Sequence, residues 1–226
     1  AMNMAPFIFW NLAFYTIIRT QLAILDTKII VIDNFYTKPD LIRKFAIQDD
    51  YRSAAKNNYP GYESHRFFGI DKLKEAFEKI LGRRIECNPE RFTFGGFRII
   101  TEKSGYMPKV HADSIDWAGL IFLAPKAPLD KGIGFYKHIK TGFEHPPTDK
   151  EARQKGYEDA NEFERQVVYH DQAELSQWEL VSYISPVYNR LILFRGRDLY
   201  HAPLGGFGEQ PNNARLTQNF FFLEKL

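Results

Sequence analysis

Hydrophobic and polar positions along this chain fall into two textures that change near residue 91. Before it, apolar residues recur at helical spacing. Leu41, Ile42, Phe45 and Ala46 predict a helix over Lys38 to Asp49, with Pro39 suited to its first turn. Leu73, Phe77, Ile80 and Leu81 predict a second over Asp71 to Leu81, with Asp71 placed to cap it and Gly82 to end it. Ahead of both, the runs Tyr15 to Leu25 and Lys28 to Phe35, separated by Asp26-Thr27, read as a hairpin. From Phe92 onward the pattern is that of strands: Phe92 to Thr101, Trp117 to Ala124, Gly134 to Ile139, Leu180 to Ile184, Arg190 to Phe194 and Leu216 to Leu223. Glycine and proline punctuate the gaps. Asp149 to Gln177 interrupts them with charged, helix-prone text and reads as an insertion. The expectation is a mainly β (α+β) chain: a β-barrel or sandwich over residues 92–226 with insertion 149–177, backed by a hairpin and helices over 1–91, all in one domain.

Composition narrows this little. Of 226 residues, 44% are hydrophobic, enough for a substantial core, and 20 Phe with 12 Tyr favour pleated surfaces. A net charge of +2 gives no reason to expect a nucleic-acid partner. Cys87 is the only cysteine, so intrachain disulfides and cysteine zinc sites are out, and a reducing, cytoplasmic setting is expected. Pro6 to Ile18 is apolar but is interrupted by Arg19 before it could span a bilayer, and reads as a buried strand or N-terminal arm.

The chemistry lies in four residues. His111 and Asp113 are two apart, so on an extended segment their side chains share a face and can grip one ion. With six histidines in the chain, that pair alone carries little. His201 follows the apolar run Leu191 to Phe194 and the turn Arg195-Gly196-Arg197-Asp198, and would complete a set of two imidazoles and a carboxylate. Such a set holds non-haem Fe(II) on one face and leaves the other open. His138 is the competing histidine; His65, His145 and His170 lie in polar text. Arg215 and Thr217 alternate onto one face of the final strand, a cation and a hydroxyl that can both reach one carboxylate.

The series His-x-Asp, His201, Arg215 resembles the Fe(II)/2-oxoglutarate-dependent dioxygenase superfamily over roughly residues 94 to 223. The nearest look is the prolyl-hydroxylase-like branch, through Val31-Ile32-Asp33-Asn34-Phe35 and the Gly132-Ile133-Gly134-Phe135-Tyr136 strand after the His-x-Asp. The resemblance implies a double-stranded β-helix, a jelly-roll or cupin-like barrel. It implies His111, Asp113 and His201 as iron ligands, and Arg215, assisted by Thr217, as the anchor of the distal carboxylate of 2-oxoglutarate. Dioxygen would be co-substrate, with succinate and CO2 released. Many prolyl hydroxylases carry Lys where Arg215 stands, which argues against a prolyl peptide substrate. Nucleic-acid demethylases of the AlkB type carry a second Arg shortly after the first, whereas here Gln218 and Asn219 follow. Halogenating relatives lack the carboxylate that Asp113 supplies, so hydroxylation of a small molecule or amino-acid-like group is expected. Arg66, Arg98, Tyr106 and Lys109 are candidates to meet an anionic or zwitterionic substrate. The Tyr59 to Arg66 loop and the insertion are candidate lids. Two other readings stay open: a non-catalytic binding module, and a cupin-like metal enzyme without 2-oxoglutarate. Oligomeric state is not legible.

Overall fold

A computed structural model describes residues 27–54, 61–88, 91–104 and 109–225. The Pro6 to Ile18 segment and the first hairpin strand lie outside them. In chain order the elements are β1 (Ile29–Ile32), α1 (Pro39–Ile47), β2 (Tyr51–Ser53), β3 (Tyr62–Phe67), α2 (Ile70–Leu81), β4 (Ile85–Glu86), β5 (Phe94–Ile100), β6 (Trp117–Phe122) and β7 (Ile133–His138). Then come α3 (Asp149–Gln154), α4 (Ala160–Phe163), a π-helical turn at Glu164–Val168, β8 (Trp178–Ile184), β9 (Leu191–Phe194), β10 (His201–Pro203) and β11 (Arg215–Glu224).

Among the described residues the strands form two sheets. The larger runs β1-β9-β6-β11-β5-β3-β2, with β4 paired to the end of β11, giving eight strands. The smaller runs β10-β7-β8. All pairings are antiparallel. The expectation of a mainly β fold with few helices holds.

Strand alternation decides what each face of the large sheet meets. Trp117, Ile121, Leu191, Leu193, Leu216, Phe220 and Phe222 face α1 and α2, whose Ile42, Ala46, Leu73, Phe77, Ile80 and Leu81 complete that core. Phe77 sits in an aromatic nest, edge-to-face on Phe220 at 4.9 Å and on Phe94 at 5.8 Å. Ala118, Leu120, Phe122, Ile192 and Phe194 point the other way, onto Ile133 and Phe135 of the small sheet. Central strands buried on both faces explain the unbroken apolar runs of β6 and β9. The insertion supplies the outermost layer: Ala152, Phe163, Val167 and Val168 pack with Tyr136, Trp178 and Tyr200 on the outer side of the small sheet.

Several expectations need correction. Asp71 lies in the first turn of α2 and does not cap it; the N-cap is Gly69, in the left-handed region at φ 75°. Gly82 ends the helix as expected, at φ 65°. Leu41 faces outward rather than joining the α1 stripe. The Tyr59 to Arg66 segment is not a lid where it is described: Tyr62–Phe67 is β3, hydrogen-bonded between β2 and β5. Its sequence, Tyr-Glu-Ser-His-Arg-Phe, hides this because only Ser64 is buried, so no apolar alternation marks it. Among the described residues no helix is long and apolar enough to cross a membrane.

Candidate metal centre

Between the two sheets lies a cavity whose volume, counted out to its open mouth, is about 660 Å³. His111, Asp113 and His201 line it together with Arg98, Lys109, Arg215 and Asn219.

Backbone pairing brings the three ligand candidates together. His201 opens β10, paired with β7 through Phe135. On its other side it forms an isolated antiparallel bridge with His111: each amide donates to the other's carbonyl, at 3.1 and 2.8 Å. Directly opposed residues of an antiparallel pair present their side chains to the same face, and the two rings lie 4.7 Å apart between centroids. Asp113, two residues on, is fixed by its amide to the Gly196 carbonyl at 2.9 Å. Gly196 is required by close approach: a Cβ there would fall 2.2 Å from Asp113 Oδ2. The turn that carries Gly196 is held by Arg195, which pairs with Asp198 at 3.0 Å and Glu224 at 2.9 Å.

The chemistry of the donor set fits a cation. Nδ1 of His111 lies 2.8 Å from the Lys109 carbonyl, and Nδ1 of His201 lies 2.9 Å from that of Leu199. A carbonyl only accepts, so each Nδ1 carries the proton and each Nε2 turns a lone pair inward, as in metal-bound histidines. Those Nε2 atoms face Asp113 at 3.6 and 3.5 Å, longer than a hydrogen bond. Asp113 Oδ2 is buried and has no hydrogen-bond partner among the described residues. Three inward lone-pair donors within 4.8 Å of one another repel unless a positive charge lies among them. Burial pushes the His201 pKa down to about 4, against the pull of Asp113, so this ring is neutral and ready to ligate at neutral pH. At His111 burial acts downward too, but contact with Asp113 outweighs it and the net shift is upward. Burial raises Asp113, yet the two histidines and Arg98 bring it below the usual carboxylate range.

Arg215 is 2% exposed on the cavity floor. It donates to the carbonyls of Lys131 (3.1 Å) and Gly132 (3.2 Å) and lies over the Phe122 ring. Among the described residues no carboxylate pairs with it. A charge so buried is costly unless compensated, and the geometry suits an incoming anion.

The other candidates divide. Arg98 lines the cavity, 5.3 Å above the Phe221 ring, and Lys109 stands at its exposed rim. Tyr106 lies outside the described residues. Arg66 is elsewhere: it pairs with Asp49 at 2.9 Å, covers the Phe45 ring, and takes no part in the cavity. Thr217 is not among the cavity-lining residues. It shares the face of Arg215, but its hydroxyl donates to Asn219 Oδ1 at 2.7 Å, and it is Asn219 that lines the cavity. Sequence reasoning missed Asn219, although the same period of two from Arg215 points to it. His138 is fully buried between Thr141 (3.1 Å) and Asp171 (3.0 Å) and ties the small sheet to the insertion; it is no ligand of this cluster. His65 and His170 are exposed, as expected, while His145 is half-buried against the Pro146 carbonyl. No described insertion residue lines the cavity, so the insertion backs the small sheet rather than covering the mouth.

The sequence matches the family described as "Family of unknown function (DUF6445)" over residues 16–222, and the chain belongs to that family. No curated protein matches it.

Proposed function

We propose that this member of the DUF6445 family is an Fe(II)- and 2-oxoglutarate-dependent dioxygenase that hydroxylates a small molecule or amino-acid-like group. We take its two facing antiparallel sheets to be a double-stranded β-helix. Its single cysteine suits the reducing cytoplasm, where we place it. One observation carries the reading: a two-histidine, one-carboxylate cluster with an orphaned buried oxygen shares a cavity with a buried arginine that has no carboxylate partner among the described residues.

In this reading His111, Asp113 and His201 hold the metal on one face and leave the cavity side open. Bound there, Fe(II) with 2-oxoglutarate and O2 supplies oxidative decarboxylation to succinate and CO2, with the second oxygen atom inserted into a substrate C–H bond. The chain's own part is placement. The Lys109 and Leu199 carbonyls fix both imidazole tautomers. Arg215 binds the distal carboxylate of 2-oxoglutarate from a floor screened by Ile133, Leu120 and Phe194. Asn219, oriented by Thr217, offers a further polar contact. With Asp113 occupying the third protein-ligand position, hydroxylation is favoured over halogenation.

Anaerobic calorimetric titration of 2-oxoglutarate, with and without Mn(II), tests this. Binding is expected only with metal, abolished in His111→Ala and Asp113→Ala, and weakened roughly 30-fold or more in Arg215→Gln. A cupin-like enzyme without 2-oxoglutarate would bind Mn(II) and ignore 2-oxoglutarate. A non-catalytic binding module would take 2-oxoglutarate with or without Mn(II). Either result rejects the proposal.

A further inference from the structure

Resting on that reading, we propose that the substrate is a small anion, carrying a carboxylate or phosphate, and that Arg98 is the residue that anchors it at the cavity mouth, with Lys109 beside it.

The described lining carries three cationic side chains, Arg98, Lys109 and Arg215, against a single carboxylate, Asp113. Loading the site does not remove this surplus. A divalent metal adds the two charges that a 2-oxoglutarate dianion takes away, so the filled cavity keeps its excess of cations. Between low-dielectric walls of Leu120, Ile133, Phe194 and Phe221, such an excess raises the local concentration of anions, lowers that of cations and gives neutral guests no such gain.

The cations stand at different depths. Arg215 is buried on the floor, Arg98 is half-buried and Lys109 is exposed at the rim. Arg98 and Arg215 also start from different strands. Arg98 pairs across to Thr217, and Arg215 to Ile100, so the two are diagonal neighbours, roughly 7–8 Å apart at Cα. Each is held separately, Arg215 by the Lys131 and Gly132 carbonyls, Arg98 over Phe221. Two separately held guanidinium forks provide two anion contacts, one for the co-substrate and one for the molecule to be oxidised. Arg98 lines the same cavity as His111, Asp113 and His201, so an anion it holds lies in the space those three residues share.

The test uses Zn(II)-loaded protein, which cannot turn over, saturated with N-oxalylglycine as the unreactive co-substrate analogue. Saturation-transfer NMR then compares benzoate, phenyl phosphate and neutral benzamide as probes. At least one anion should bind about tenfold or more tightly than benzamide, and Arg98→Gln should weaken that anion by about tenfold or more. The ratio of benzoate to phenyl phosphate assigns carboxylate or phosphate. Arg98→Lys should recover part of the loss, and Arg98→Gln should leave N-oxalylglycine affinity within about threefold. Equal binding of benzamide and the anions overturns the proposal, as does an Arg98→Gln variant with unchanged anion affinity. Equal weakening of N-oxalylglycine and the anions overturns it too, because Arg98 would then belong to the co-substrate subsite. If N-oxalylglycine fails to bind the wild-type protein, the dioxygenase reading fails separately; the same probes with Zn(II) alone still report whether Arg98 selects anions.

Discussion

Gly196→Ala adds one carbon atom to the metal centre. That carbon would lie 2.2 Å from Asp113 Oδ2 and 3.0 Å from both Cβ and Cγ of Asp113. Ordinary non-bonded contacts of carbon are roughly 3.5–4.0 Å, so the carboxylate must retreat by about 1 Å or rotate away. The Gly196 backbone is not in the left-handed region, so alanine is conformationally acceptable there and the whole effect falls on Asp113. Metal bonds tolerate only about 0.2 Å of displacement. The expected loss of Mn(II) affinity is therefore about 10- to 100-fold, or about 1.4–2.7 kcal/mol, with only a small change in apo stability. The assay is a competitive Mn(II) titration read beside a thermal melt. Gly82→Ala is the matched control. Gly82 sits at φ 65° with no atom within 4 Å of the added carbon, so alanine there loses about 1 kcal/mol of stability to backbone strain and keeps wild-type metal affinity. If Gly196→Ala binds Mn(II) within about threefold of wild type, Asp113 is not a ligand in the position described.

Mn(II) at about 100 times its dissociation constant should stabilise the fold by about 2.7 kcal/mol, raising Tm by about 5–11 °C in a chain of this size. EDTA should reverse the rise and Asp113→Ala should abolish it; an equal rise in that variant would disprove the site. Burial pushes the Glu164 carboxyl above its ordinary value of 4.5, against the hydrogen bond it accepts from Tyr200. A proton held more tightly in the fold than in the unfolded chain means stability falls as pH rises past 4.5. Glu164→Gln, which can still accept from Tyr200, should therefore match wild type near pH 4 and gain on it toward pH 8 in chemical denaturation; a constant offset across that range would contradict the reasoning. Phe77→Ala empties the aromatic nest and should cost about 3–5 kcal/mol in urea unfolding. A loss below 1 kcal/mol would mean that the α2 contact with the large sheet contributes little.

What the sequence determined by itself is what repeats at short range. The 3.6-residue spacing of Leu73, Phe77, Ile80 and Leu81 settled α2, and the apolar runs at Trp117 and Leu191 marked β6 and β9 within two residues, because local periodicity encodes which face is buried. The insertion's helices followed from its charged, helix-prone composition, while the Thr148–Glu151 capping box that starts α3 emerged only with the structure. Strands with few buried residues, such as β2, β3 and the two-residue β4, left no such trace, since their pairing rests on backbone hydrogen bonds supplied by neighbours. Residue types and the two-residue spacing singled out His111, Asp113, His201 and Arg215. Only the tertiary structure brought His201 across a backbone bridge to His111 and pressed Gly196 against Asp113. It also turned Thr217 to Asn219 and gave Arg66 to Asp49 rather than to the cavity. Those outcomes depend on which distant segments share a sheet edge. That is a matter of register and chain crossing, and side chains near in sequence do not record it.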